Sequence, residues 1–229
     1  MPAHEVAAYE MQKLFLDQPE MVVPPTVMRV LPVDWYRQFD ENARATLSGT
    51  SSIVFVLHSW VHFLTGEGVW DEDRFNSDPA YARHWANLNL FTYLIRHSDS
   101  NTGNVLISEI GEPRIFSVDN GVAFNSQDSD RGTGWRNLLV TRFPASTVAR
   151  LRTLTEEQLH EALGVLAQWE IRGEELVAVP KTENVNPRER VRQRSGTVQI
   201  GLTRDDIDDV WYRLEVFLGQ IDNGQYQTF

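Results

Sequence analysis

The apolar positions of the first sixteen residues recur at helical spacing. Val6, Ala7, Met11, Leu14 and Phe15 share one face, which predicts a helix over 3–16. Pro24-Pro25 then disfavours helical backbone, and Thr26 to Leu31 reads as a strand. The polar stretch 38–51 reads as a long loop. Ser52 to Leu57, rich in β-branched and aromatic residues, reads as a second and more buried strand. Gly66 to Asp78 is acidic and irregular.

Asp78-Pro79 supplies an N-cap followed by proline at the first helical position. The helix it opens runs through Trp85, Leu88, Phe91, Leu94 and Ile95 to Arg96. Its last two turns are apolar nearly all round, the signature of an element buried in the middle of a domain. Two short strands follow, 105–107 and 114–118, with a turn at Glu109 to Pro113. Thr155-Glu156-Glu157-Gln158 matches a capping box and predicts a helix to about residue 172. A Pro- and Arg-rich connection, a short strand over 196–202, and a last helix opened by Thr203 and running through Trp211, Leu214 and Leu218 complete the reading. The fold class expected is α+β, with a mostly helical last third.

Composition narrows the function. The 229 residues are 41% hydrophobic and include 7 Trp and 11 Phe, enough for a substantial core. A formal net charge of -11 argues against nucleic acid as a partner, because phosphate backbones need clustered basic surface. Without cysteine there are no disulfides, thiolate metal sites or cysteine nucleophiles. The N-terminus has neither the basic region nor the apolar stretch of a secretory signal, and no segment is apolar over a membrane-spanning length. The expected location is cytoplasmic.

Chemistry concentrates in 96–121. Asp99 and Asn104 lie in the loop between the buried helix and the strand 105–107. Asp119-Asn120-Gly121 follows the second strand, and a hairpin joining the strands brings Asn104 and Asp119 to the same end. Phosphoryl transfer uses one carboxylate to orient the attacking hydroxyl, and hard oxygen ligands to hold Mg²⁺ against a triphosphate. Asp99 suits the first role, Asn104 and Asp119 the second, and Gly121 is expected to let the backbone turn away beneath the metal ligand. The bland alternative is turn chemistry, for Asp-Asn-Gly recurs at 222–224 with no function attached.

Other features carry less. His58 and His62 would share a face on a helix, as zinc ligands do. Ser59 nevertheless stands inside the pair where a metalloprotease has glutamate, and no third ligand is evident. His97 is expected to brace the catalytic loop by hydrogen bonds. Asp71, Glu72 and Asp73 lack calcium-loop spacing. Arg188, Arg190, Arg192 and Arg194 would line one face of a strand, as surface charge balance or as a dock for an acidic headgroup or phosphorylated substrate. Trp135 and Arg136 are assigned to a loop near the substrate entrance, without a role.

The segments Tyr93 to Ile107 and Phe116 to Phe124 resemble the catalytic and metal-binding loops of the phosphatidylinositol 3/4-kinase-like family. Type II phosphatidylinositol 4-kinases are the nearest pattern, and Golgi secreted-protein kinases a more distant one. Glu5-Val-Ala-Ala-Tyr followed by Val23-Pro-Pro-Thr-Val is similar to the helix and strand of that group, so the resemblance covers residues 5 to about 125. It implies a two-lobed kinase-like fold, with a partial N-lobe over 1–60, a hinge near 56–60 receiving adenine, and a C-lobe over 61–229. It also implies Asp99 as the catalytic aspartate and Asn104 and Asp119 as ligands of Mg²⁺ or Mn²⁺ with ATP. Glu5, or secondarily Glu10, would be the glutamate that pairs with the phosphate-binding lysine. Ser100 departs from the arginine common after the aspartate. Only four residues precede Glu5, so the Gly-rich strands and their lysine are expected to be missing from this chain, and neither Lys13 nor Lys181 fits that lysine. The expected function is ATP-dependent phosphotransfer to a lipid, protein or small-molecule hydroxyl. The alternative is a non-catalytic kinase-like module that binds nucleotide or a partner.

Overall fold

The structure is a computed structural model that describes residues 2–101, 103–124, 137 and 139–229. It opens with helix α1 (Pro2–Gln12), which buries Ala3, Val6, Ala7, Ala8 and Met11. The predicted helix over 3–16 ends early because Gln12 turns inward. Its Oε1 accepts from the amides of Val22 and Val23, and its Nε2 donates 2.8 Å to the Val23 carbonyl. One buried side-chain amide thus satisfies three backbone groups of the extended segment 22–23.

Strand β1 (Thr26–Pro32), a short helix α2 (Val33–Tyr36) and strand β2 (Ser52–His58) come next. β1 and β2 pair antiparallel from Thr26 opposite His58 to Pro32 opposite Ser52. α1 packs against this ladder and against α6 (Glu156–Gly164). After the two-residue β3 (Leu64–Thr65), the acidic stretch contains a helix the pattern did not predict, α3 (Glu72–Ser77). Asp71 caps it by accepting from the Arg74 amide at 2.9 Å. The acidic run is therefore helix-start chemistry.

Helix α4 (Pro79–Leu94) forms as predicted, with the Asp78 side chain capping the Ala80 and Tyr81 amides. It is buried nearly all round, from Tyr81 through Leu94. Strands β4 (Val105–Ser108) and β5 (Ile115–Ser117) make the expected hairpin, and β3 adds to its outer edge in the order β3-β4-β5.

The last third departs most from the sequence reading. β6 (Arg142–Phe143) and α5 (Ala145–Leu151) lead to α6, whose capping box is present as predicted. α6 stops at Gly164, however, and 167–200 is a four-stranded antiparallel sheet made of β7 (Ala167–Arg172), β8 (Glu175–Ala178), β9 (Val191–Arg194) and β10 (Thr197–Ile200), in the order β8-β7-β10-β9. Two contacts explain the stop. The Leu166 amide is taken by the Ile200 carbonyl at 2.8 Å. A Cβ on Gly201 would collide with the Gly164 carbonyl, so the strand reaches the helix end only through glycine. Helix α7 (Arg204–Asp222) opens on Thr203 as predicted, and β11 (Gln227–Thr228) pairs parallel with β6.

The result is an α+β protein with one apolar core running from α1 through α4 to α7. Among the described residues no helix is long and apolar enough to cross a membrane.

Candidate functional site

The end of α4 and the start of β4 are joined by a loop knotted to itself. The Ser100 amide and hydroxyl both reach the His97 carbonyl, the hydroxyl at 2.9 Å. The Asn101 amide donates to the Asp99 carbonyl at 2.9 Å. The bracing expected of the His97 side chain thus comes from its backbone carbonyl, while the ring is fully buried and burial lowers its pKa.

Asp99 is held from two sides. Asn101 Nδ2 donates 3.0 Å to its Oδ1, and Asn104 Nδ2 donates 2.8 Å to its carbonyl and 3.3 Å to its Oδ2. With the amide nitrogen of Asn104 spent on Asp99, its Oδ1 is the atom left for a cation.

The Val118 amide donates 2.9 Å to the Asn104 carbonyl, so the residue before Asp119 is bonded to Asn104. The two loops are stitched further on. Ser98 Oγ donates 2.8 Å to the Val122 carbonyl, and the Phe124 amide donates 2.7 Å to the Ile95 carbonyl. Three sequence candidates, Asp99, Asn104 and Asp119, therefore gather at one end of the hairpin. The positive φ of this turn falls on Asp119 itself, at 54°, and the turn continues as a 3-10 helix over Asn120–Val122. The expectation that Gly121 turns the backbone is corrected accordingly: an aspartate tolerates the left-handed region at modest cost, and the strain sits on the candidate ligand.

α1 reaches the same turn. Glu5 Oε2 accepts from the Asn120 amide at 3.1 Å, and the next residue back, His4, donates from Nδ1 to the Gly121 carbonyl at 3.0 Å. Burial raises the Glu5 pKa, the Asn120 amide opposes that, and the Asp119 carboxylate adds to the rise. His4 is fully buried against Phe124, and burial lowers its pKa to about 4.

A cavity of about 590 Å³ opens beside these groups, lined on one wall by Glu5, Ser117, Asp119 and Asn120, and on the other by His58 to Leu64. The second wall is aromatic and exposed at its rim, with Trp60 81% and Phe63 62% accessible. The segment 59–63 is not helical, so His58 and His62 do not form the helix-face pair that zinc would need. His58 Nδ1 lies 3.0 Å from Thr26 Oγ1 instead.

The donor set fits a hard divalent cation: an exposed carboxylate on Asp119, a spare amide oxygen on Asn104, and a neighbouring half-buried carboxylate on Glu5 whose repulsion from Asp119 a cation would relieve. Glu10 does not join the set, for it pairs with Lys13 along α1. Lys181 lines a different cavity, between α1, β1 and β7. The arginine strip is also corrected. Arg190 is paired with Asp206 at 2.6 Å, and Arg192 is buried, donating to the Gly164 and Leu202 carbonyls, so the four do not present one basic face. Trp135 and Arg136 lie outside the described residues.

Sequence reasoning missed three contributors. Asn101 orients Asp99, His4 holds the Asp119 turn, and 60–63 builds the aromatic wall. Asn101 was legible as a second amide inside the loop; nothing in the local sequence marks the other two. Neither a scan against protein-family models nor a search of curated proteins finds a match for this chain.

Proposed function

We propose that this chain is a kinase-like protein that binds ATP with Mg²⁺ or Mn²⁺ and transfers phosphate to a hydroxyl, in the manner of the phosphatidylinositol 3/4-kinase-like group its loops resemble. The observation that carries the reading is the Asn104–Val118 backbone bond, which joins the Asp99–Asn104 loop to the Asp119 turn, and Asp119 with Glu5 lines the cavity. In this reading the N-lobe spans 1–60 and the C-lobe 61–229, with the cavity between β2 and the β4–β5 hairpin taking the nucleotide.

The divalent ion, held by Asp119 and Asn104 Oδ1, would neutralise the phosphate charge as it shifts. Asp99 does the proton chemistry. Fixed by Asn101 and Asn104, its carboxylate orients the acceptor hydroxyl and takes its proton as the new O–P bond forms. The bond from the γ-phosphorus to the bridging oxygen breaks, and ADP leaves with that oxygen. Ser117 and Asn120 position the turn, since Ser117 Oγ donates 2.9 Å to Asn120 Oδ1.

One observation favours a second reading, a kinase-like module that binds nucleotide without turning it over. Among the described residues no lysine or arginine lines this cavity, so the α- and β-phosphates have no cationic clamp of the kind kinases use. Calorimetry with Mn-ATP, combined with a radiolabel transfer assay, separates the readings. Transfer abolished by Asp99→Ala with binding retained supports catalysis. Metal-dependent binding without transfer supports the module. Absence of metal-dependent ATP binding rejects both.

A further inference from the structure

The turn of the β4–β5 hairpin lies at the end opposite Asn104 and Asp119. There it meets the first turns of α4 and the 3-10 turn Gln18–Glu20 around a separate cavity of about 400 Å³. Three nitrogen-bearing side chains line it: Arg83 and His84 from α4, and Arg114, which immediately precedes β5.

Their states differ in a way that points to a ligand. Arg83 is already neutralised by Glu20, at 3.2 Å. His84 is 9% exposed, and its buried Nδ1 has no partner. Burial, reinforced by the charges of Arg114 and Arg83, lowers its pKa to about 4, so it is neutral at physiological pH. Arg114 stands over the Phe116 ring at 5.0 Å, with no ion pair and no hydrogen-bond acceptor for its side chain among the described residues, and its Nε is buried.

Three other inward arginines each reach at least one carbonyl acceptor, although Nε of Arg192 and Nη2 of Arg213 stay unpaired among the described residues. Arg192 reaches two carbonyls, Arg142 reaches Phe75 O at 2.6 Å, and Arg213 reaches Leu94 O at 2.7 Å. The buried Nε of Arg114 loses water hydrogen bonds and gains none, a cost that an anion on the guanidinium offsets.

We propose that this cavity binds the carboxylate of a small organic monoacid. The fork of Arg114 supplies the charge and paired donors, and the neutral ring of His84 supplies a further hydrogen bond. The charge balance selects a single negative charge, because only Arg114 is uncompensated while Glu20 and the exposed Glu112 stand at the same cavity and oppose a dianion. Pro19, Pro79 and Ala80 give the remaining wall apolar surface for an organic body. The inference is independent of the kinase reading, since it involves none of the groups at the Asp119 end.

Benzoate titrated calorimetrically into the full chain should fill one saturable site with a Kd of about a millimolar. Its thermal midpoint should rise with benzoate concentration. Arg114→Gln should weaken binding about tenfold or more, whereas Asp119→Ala should leave it unchanged. Inorganic phosphate at equal concentration should not displace benzoate. Failure to saturate, equal affinity in Arg114→Gln, or displacement by phosphate overturns the assignment. If that variant does not fold, the wild-type ring resonances decide: His84 shifting with benzoate while His62 stays fixed supports the site, and the reverse rejects it.

Discussion

The tripeptide Asp-Asn-Gly occurs at 119–121 and again at 222–224, and the two copies meet opposite fates. At 119–121 the left-handed residue is the aspartate, Asn120 is buried, and His4 and Glu5 of α1 hold the Gly121 carbonyl and the Asn120 amide. At 222–224 the tripeptide ends α7. Asn223 caps the helix, Gly224 takes the left-handed position at φ 71°, and Asp222 pairs with Arg152 at the surface. The second copy is helix-stop chemistry in which glycine does what glycine does best. In the first, the strained conformation has moved onto a carboxylate that faces a cavity. Local sequence is identical; the partners brought from 115 residues away are what separate a candidate site from a turn.

The largest effect expected from this contrast is on metal-dependent nucleotide binding. Asp119→Ala should reduce Mn-ATP affinity from measurable to undetectable by calorimetry, while Asp222→Ala should leave it intact. Equal loss in both, or in neither, would end the distinction between the two turns.

A smaller effect concerns the clamp on the first turn. The His4 pKa falls from 6.5 to about 4 on folding, so the unfolded chain binds the extra proton between those values. The stability tied to neutral His4 is fully present above pH 6.5 and is lost as pH falls toward 4, by about 3 kcal/mol over the full window. His84, lowered in the same direction, adds to the slope. Urea midpoints measured from pH 7.5 to 4 should decline, and His4→Gln, which keeps a donor toward Gly121 but cannot titrate, should flatten part of that decline. An unchanged slope would mean the ring is not held neutral.

The smallest effect is backbone strain, read by exchanging the glycine advantage between the turns. Gly224→Ala meets no atom within 4 Å, so its cost is the left-handed conformation alone, about 1 kcal/mol. Asp119→Gly should stabilise the fold by a similar amount while removing nucleotide binding. Chemical denaturation of both variants tests this, and a destabilised Asp119→Gly would show that the aspartate side chain supports its own turn.

Much of the scaffold was legible. The Asp78-Pro79 start, the all-round apolar stretch to Ile95, the β4–β5 hairpin and the capping boxes at Thr155 and Thr203 depend on residues within a few positions of one another, and each formed as read. The gathering of Asp99, Asn104 and Asp119 was also legible, because a hairpin fixes which ends meet. What failed was the reach of α6. Residues 165–171 carry helix-compatible spacing, but the strand ladder with Ile200 and the bare approach of Gly201 take the backbone instead. The arginine strip failed for a related reason: alternation on a strand predicts a shared face, and tertiary carbonyls drew Arg192 inside.

The sequence by itself determined where α4, α6 and α7 start, which helix is buried and which oxygen donors share the hairpin end, since those follow from backbone capping, apolar periodicity and short-loop geometry. Only the tertiary structure decided which Asp-Asn-Gly faces a cavity, that His4 and Glu5 would hold it, and that, among the described residues, Arg114 would find no acceptor where Arg142, Arg192 and Arg213 find carbonyls. These outcomes depend on which distant groups arrive to satisfy a buried charge or peptide bond, and pairings of that kind leave no mark within the local chain.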